Sequence, residues 1–476
     1  MKIHFEPKDF LRKFKIAASV AVSKDVKPIL CNVKIVADKR FGAVLMATDT
    51  GVGIRIRFDA DVSKNGEALL PSKPFRQILE SAKDERLTLE TTETGIAVAG
   101  EYDGNEQWTL DTLPPDEFPF IDEFMETAYH EIPANALGEM IRRTMFATDT
   151  EDARYALGGV CFESNIGYGA GSLCAVATDG CRLAVQDASG LCVGDHSFGG
   201  TKNDGENEWE YFPIVPVNAL KLLTKVLKDK SAHETDAIKM AFMGAEQKTR
   251  VLFQCNDVTI FARLVEGRFP VWRSIVPETD GRLHAQVRCE TLRSAINQMV
   301  TSKSEPGVLF TFQHGGLTLE SRTKESGQSK VAIPLSFNDM ADFMIDASFM
   351  KDYLRSLDAE TAIDIYMSVD NDPVLFETDG GDYRYVAMPM TKPAVKVNAE
   401  PEADTGIEVV GQVSTEEEPM KNVDEAPVPD NELETKVFQL LQENDQLHAK
   451  AEQYKVLLDR AMRVIESMRN DQRICV

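Results

Sequence analysis

The sequence predicts an α+β protein of three tandem repeats, each running helix, strands, helix, strands, followed by an acidic linker and a coiled-coil helix. Three observations predict it. A Thr-Asp turn after an apolar run occurs twice, as Ala47-Thr48-Asp49-Thr50-Gly51 and Ala177-Thr178-Asp179-Gly180-Cys181. The order of helical and strand-like stretches recurs three times, in roughly 125 to 150 residues each, the mark of an internal repeat. Beyond Pro393 the composition changes abruptly.

The first repeat opens with Pro7 to Ala18, where Phe10, Leu11, Phe14 and Ala17 fall at helical spacing between Lys8, Arg12, Lys13 and Lys15. Strand-like stretches follow at 29–36, 43–48 and 52–58. A second helix starts at Pro71-Ser72 and carries Phe75, Ile78 and Leu79. Strands at 87–91 and 95–99 come next, then Trp108-Thr109-Leu110, and the repeat closes on Phe118-Pro119.

The second repeat has a helix from Ile132-Pro133 through Met140, Ile141 and Met145. Strands lead to the Thr178-Asp179-Gly180 turn. There Thr178 and Asp179 can hydrogen-bond the turn backbone and Gly180 can take positive φ. A polar, Gly-rich insertion near 190–207 reads as a surface loop. A helix from Pro216 carries Leu220, Leu222, Leu223 and Val226, and the repeat closes on Phe269-Pro270. The third has helices from Cys289 and over 348–357, and ends at Tyr385-Val386-Ala387-Met388-Pro389-Met390. The expected divisions are 1–127, 128–282 and 283–393.

Residues 394–431 hold ten acids against two lysines, with several prolines. Such a segment cannot bury a core and reads as a disordered linker. Over 432–470, Leu433, Val437, Leu440, Asn444, Leu447, Ala451, Tyr454, Leu458, Ala461, Ile465 and Met468 step by four and three, a heptad seam. A solitary amphipathic helix is the alternative.

The totals exclude several classes. No apolar run of the 476-residue chain approaches the roughly 18 residues that a membrane span needs. The start, Met1-Lys2-Ile3-His4-Phe5-Glu6, lacks the apolar core of a signal peptide. Eight cysteines without a CxxC pair and seven dispersed histidines point to reduced thiols in the cytoplasm and to no metal site. A net charge of −25 argues against nucleic acid as a total, but an acidic protein can carry one basic face. Bases recur on corresponding helices of all three repeats: Arg12, Lys13, Lys15; Lys73, Arg76; Arg142, Arg143; Lys221, Lys225, Lys228; Arg293; Lys351. For any one of them a solvated face is the simpler reading; the recurrence favours a common role. Asp149, Glu151, Asp152 and Asp179 are the best material for a Mg²⁺-dependent enzyme, but they read more simply as helix-end and turn residues.

The repeat, together with "ATDGCRLAV" (177–185), "ARYALGGVCFE" (153–163), "EGRFPVWRSIVP" (266–277) and "YVAMPM" (385–390), resembles the bacterial DNA polymerase III β subunit, the sliding-clamp family, over about residues 1–393. The resemblance implies the DNA-clamp fold, with antiparallel outer sheets and two inner helices per domain. It further implies a six-domain ring as a head-to-tail homodimer around duplex DNA, loaded by an ATP-driven clamp loader. Such a protein is not an enzyme, needs no cofactor, and tethers the polymerase III α subunit, other polymerases and repair proteins. Client peptides would enter a groove formed by Leu157, Thr178, Gly180, Cys181, Arg182, Leu183, Pro270, Ile275, Val386, Met388, Pro389 and Met390. Lys24 matches a DNA-contacting loop position, and Glu151 stands at a second such position where an acid is a poor phosphate ligand. Trp108 and Leu110 match one side of the subunit interface, and Met299 and Val300 the other. A scaffold working through its coiled-coil tail is the alternative function.

Overall fold

The computed structural model describes residues 1–22, 27–102, 106–126, 128–149, 156–165, 171–192, 200–203, 208–228, 237–244, 249–324, 327–368 and 372–391. Lys24, Glu151, Asp152, the linker 394–431 and the coiled-coil segment 432–470 lie outside them. Among the described residues are six α-helices: α1 (Pro7–Ala18), α2 (Ser72–Ser81), α3 (Ala134–Thr144), α4 (Val217–Lys228), α5 (Cys289–Gln298) and α6 (Ala347–Arg355). Each is amphipathic. In α1, Phe10, Phe14 and Ala17 lie one helical turn apart on the buried side. Pro7 opens α1, where its missing N–H costs nothing. Asp346 caps α6 by accepting from the Ser348 amide at 2.7 Å.

All strand pairs are antiparallel, and two sheets run on from one repeat into the next. The first has eight strands, in the order His130–Pro133, Ala237–Met243, Arg250–Cys255, Val258–Arg263, Val52–Phe58, Gly42–Thr48, Asn32–Asp38 and Gly66–Pro71. Its seam pairs Val52 with Ala262 and Gly53 with Phe261. The second also has eight strands, and its seam joins Arg182–Cys192 to Tyr383–Ala387, pairing Leu183 with Val386. A five-stranded sheet ends on Gln107–Asp111 and a four-stranded sheet on Gly327–Pro334, each an edge without a further partner among the described residues.

Alternation along the strands gives each junction two apolar faces. Leu45, Ala47, Ile260, Ala262, Ala184, Tyr385 and Ala387 face the helices and belong to one core that runs through all three repeats. Met46 and Phe261 face the other way, where Phe118 and Ile121 of the first connection cover them. Leu183, Val185, Leu375 and Val386 do the same at the second junction, beneath Trp272.

Two expectations need correction. The stretch expected to enter a strand at Ile29 forms a 3-10 turn over Pro28–Cys31, held by the Asn32 side-chain amide donating to the Pro28 carbonyl at 2.9 Å. The insertion near 190–207 is not all loop. The preceding strand continues to Cys192, and Gly200–Asn203 pairs with Glu208–Tyr211 as a hairpin.

Candidate partner groove and basic helix faces

The Thr178-Asp179-Gly180 turn is built from its own side chains. Thr178 Oγ1 donates to the Arg182 carbonyl at 2.6 Å and accepts from the Gly180 amide at 3.1 Å. Asp179 Oδ1 accepts from the Cys181 and Arg182 amides, both at 3.0 Å. Gly180 sits at φ 87°, where a side chain would be strained. The turn at 48–52 repeats every element: Thr48 Oγ1 to the Val52 carbonyl at 2.8 Å, Asp49 Oδ1 from the Val52 amide at 2.6 Å, and Thr50 at φ 77°. The next strand docks identically at both places, since the Met388 amide donates to the Cys181 carbonyl and the Arg263 amide to the Gly51 carbonyl, each at 2.9 Å.

The side chains differ at corresponding positions. Leu183 fills the reverse face of the second junction. Its counterpart Gly53 has no side chain, and a Cβ there would stand 3.1 Å from Ile121, which takes up the space. Met388, 45% exposed, stands where the first junction has Arg263.

Around the second turn, the connection 269–276 is fixed by a buried carboxylate. Glu163 accepts from Trp272 Nε1 at 2.8 Å and also pairs with Arg273. Val271, Ile275 and Met388 are 63%, 40% and 45% exposed, so both the connection and the strand end offer open apolar surface. Leu157, Leu183 and Val386 are buried, Pro270, Pro389 and Met390 are half-buried, and Cys181 is exposed. Partial desolvation of this otherwise exposed thiol, then the Asp179 carboxylate, raises it above its ordinary value, so it stays neutral at pH 7.

Arg182 does not join that surface. It points to the helix face, opposite Leu183, and its guanidinium meets Asp179 at 2.8 Å, Asp352 at 3.0 Å and the Phe146 carbonyl at 2.8 Å. It also lies over the Phe349 ring at 4.5 Å. It is a strut between the second and third repeats, and Asp179 is committed to it.

Among the bases expected on the helix faces, Arg143 is a correction. It is 5% exposed. It bonds Asp379 at 2.6 Å, Glu139 at 2.8 Å and Gln186 at 2.9 Å, while its carbonyl accepts from Tyr383. A buried guanidinium needs such partners, so Arg143 ties two repeats together and faces no open surface. Its spacing from Met140 and Ala147 places it on the buried stripe, a signal available in the sequence. Arg293 is half committed, donating to the Leu354 and Leu357 carbonyls at 2.8 and 2.9 Å and so closing the end of α6.

The others lie on the helix surfaces. Lys15 and Arg76 share Glu80, each at 2.9 Å, and Arg12 and Lys13 share Asp9 at 2.7 and 3.5 Å. Lys73, Arg142, Lys221, Lys225 and Lys228 are exposed, and Lys351 is half-buried. Exposed pairs are weak and easily exchanged, so these bases can turn to another anion. In all, the six helices carry fourteen bases against five acids, in a chain of net charge −25. The basic character is concentrated on one kind of element.

At the open edges, Trp108 and Leu110 are half-buried and pack against the main core. Met299 is 5% exposed, and Val300 is held by Ser321 and Ser329. The exposed edge itself is Gly327–Pro334, which no motif in the sequence marks. No described helix is long and apolar enough to cross a membrane.

Family models of the DNA polymerase III beta subunit match this chain twice, the N-terminal domain over residues 1–122 and the central domain over 131–271. The curated "Beta sliding clamp" of Halalkalibacterium halodurans is 26% identical over 330 residues, covering 67% of this chain and 80% of that protein. The one from Pseudomonas aeruginosa is 24% identical over 388 residues, covering 80% and 97%. The crystal structure of the Pseudomonas aeruginosa DNA polymerase sliding clamp with ligand superposes with a TM-score of 0.70 at 22% identity, covering 82% of this chain and all of that one. At that identity the likeness is one of fold.

Proposed function

The chain belongs to the DNA polymerase III beta subunit family, the bacterial sliding clamps, and from that premise we propose that two copies close head to tail into a ring around duplex DNA. The family is a non-catalytic processivity factor. The ring holds the replicative polymerase to its template by topological linkage, so the contacts with DNA stay weak and permit sliding. An ATP-driven loader opens it, and the polymerase III α subunit, other polymerases and repair proteins bind it in the cytoplasm. The domains divide as 1–127, 128–282 and 283–393.

The observation that carries this reading is the segregation of charge. Thirteen helix bases, Arg143 being buried, against five acids supply a diffuse attraction for phosphate, while the acidic remainder repels it. The open edges Gln107–Asp111 and Gly327–Pro334 supply two strands that gain by pairing across subunits. Client peptides dock on the reverse face of the second junction, where Met388, Val271 and Ile275 present adaptable apolar surface over buried Leu183 and Val386.

The test is peptide binding. A short peptide with Gln and Leu/Phe anchors is titrated against wild type and against Leu183→Ala with Met388→Ala. The double variant is expected to lose about a hundredfold in affinity, the equivalent of two lost apolar anchors, and to remain dimeric. Unchanged affinity removes the groove assignment.

A further inference from the structure

Helices α3 and α4 do not close fully on one another. Between them lies a cleft of about 760 Å³, reaching from Val217 to Lys228 along α4, a run of roughly 16 Å at helical rise. Its floor is apolar, made by Ile141, Met145, Phe146 and Leu227. Gly138 leaves room above Leu227, whose Cδ1 would stand 3.5 Å from a Cβ at that position. The rim carries three bases, Arg142, Lys221 and Lys228, against two acids, Glu139 and Asp358. Arg142 reaches Glu139 and Asp358 only loosely, at 3.6 and 4.0 Å, and Lys221 and Lys228 form no ion pair among the described residues.

A duplex needs the cations and not the floor. An apolar trough of ligand size with charged groups at its rim is the build of a small-molecule site. We propose that this cleft binds an elongated amphipathic anion, with an apolar body along the α3–α4 trough and a carboxylate or phosphate head on Arg142, Lys221 or Lys228. If the helix faces look toward DNA, a point that rests on the function proposed above, the bound anion neutralises part of that face and weakens DNA retention.

The experiment uses the full chain and dodecanoate below its micellar concentration, with dodecyl phosphate, dodecanol and inorganic phosphate as comparison probes. Calorimetry is expected to show one saturable dodecanoate or dodecyl phosphate site per chain, with dodecanol and inorganic phosphate each at least about tenfold weaker. Gly138→Leu fills the trough without changing charge and is expected to weaken dodecanoate about tenfold or more. Gly138→Ala, which fits beside Leu227, serves where the larger side chain prevents folding, with a smaller loss in the same direction. Dodecanoate binding that ignores both substitutions overturns the site, and dodecanol binding as tightly as dodecanoate overturns its anionic character. Binding that leaves DNA retention unchanged overturns the coupling to DNA alone, and leaves the cleft assignment standing.

Discussion

Arg182 and Leu183 are neighbours with opposite duties, and the alternation of a strand is the reason. Leu183 faces the reverse side with Val386, whereas Arg182 reaches across the helix side to Asp179 and Asp352. Removing one partner of a buried ion-pair network leaves uncompensated charge and costs about 3–5 kcal/mol. Arg182→Ala is therefore expected to lower unfolding stability by about 3 kcal/mol, read by chemical denaturation. Met388→Ala, at an exposed position, is expected to stay within about 0.5 kcal/mol of wild type. Equal effects would contradict the assignment of Arg182 as a strut. Glu80 offers a pH test. Hydrogen bonds from Lys15 and Arg76 hold its carboxyl below the ordinary value. A carboxyl depressed in the folded state contributes stability above its unfolded pKa and loses it as pH falls through the folded one. Glu80→Gln is thus expected to melt below wild type at pH 7, with the gap closing as pH falls below about 4; a gap that persists at pH 3 argues against the pairing. At this scale the sequence was informative where a side chain bonds its own turn, as Thr178 and Asp179 do. At Arg143 the helical spacing from Met140 and Ala147 was the available sign of burial, but the partners that make a buried base tolerable, Gln186 and Asp379, lie 43 and 236 residues away.

The helices were legible because their apolar spacing is local, and α1 to α4 follow the stripes of Phe, Leu and Ile that the chain displays. Strand ends and partners were less so. Pairing depends on the partner strand and not on composition alone, so the polar stretch that reads as a loop extends a strand to Cys192, opposite Gly171, and forms a hairpin. The edge Gly327–Pro334 went unrecognised for the same reason, since being an edge is a property of the sheet and not of the strand. An unpaired edge invites another strand, and the function proposed above assigns these two edges to each other across subunits. Leu110→Lys places a charge within the half-buried face of Gln107–Asp111. Sedimentation is expected to show a shift from dimer toward monomer, with far-ultraviolet circular dichroism unchanged. A variant that remains fully dimeric would move the interface elsewhere.

For the whole molecule, the total charge concealed the feature that matters. A chain of net charge −25 collects fourteen bases on six helices, a separation invisible in the composition and visible once the helices are aligned by repeat. The motifs name the residues of the proposed groove, and the structure divides them into core, such as Leu183 and Val386, and exposed positions, such as Met388 and Ile275. The central claim is topological, and retention on a nicked DNA circle after loading by an active cognate loader tests it most directly, measured before and after the circle is linearised. Retention on the circle and loss from the linear form, for the full chain and equally for a chain ending at residue 393, is the expected result. Equal retention on both forms would mean ordinary binding and would contradict the ring.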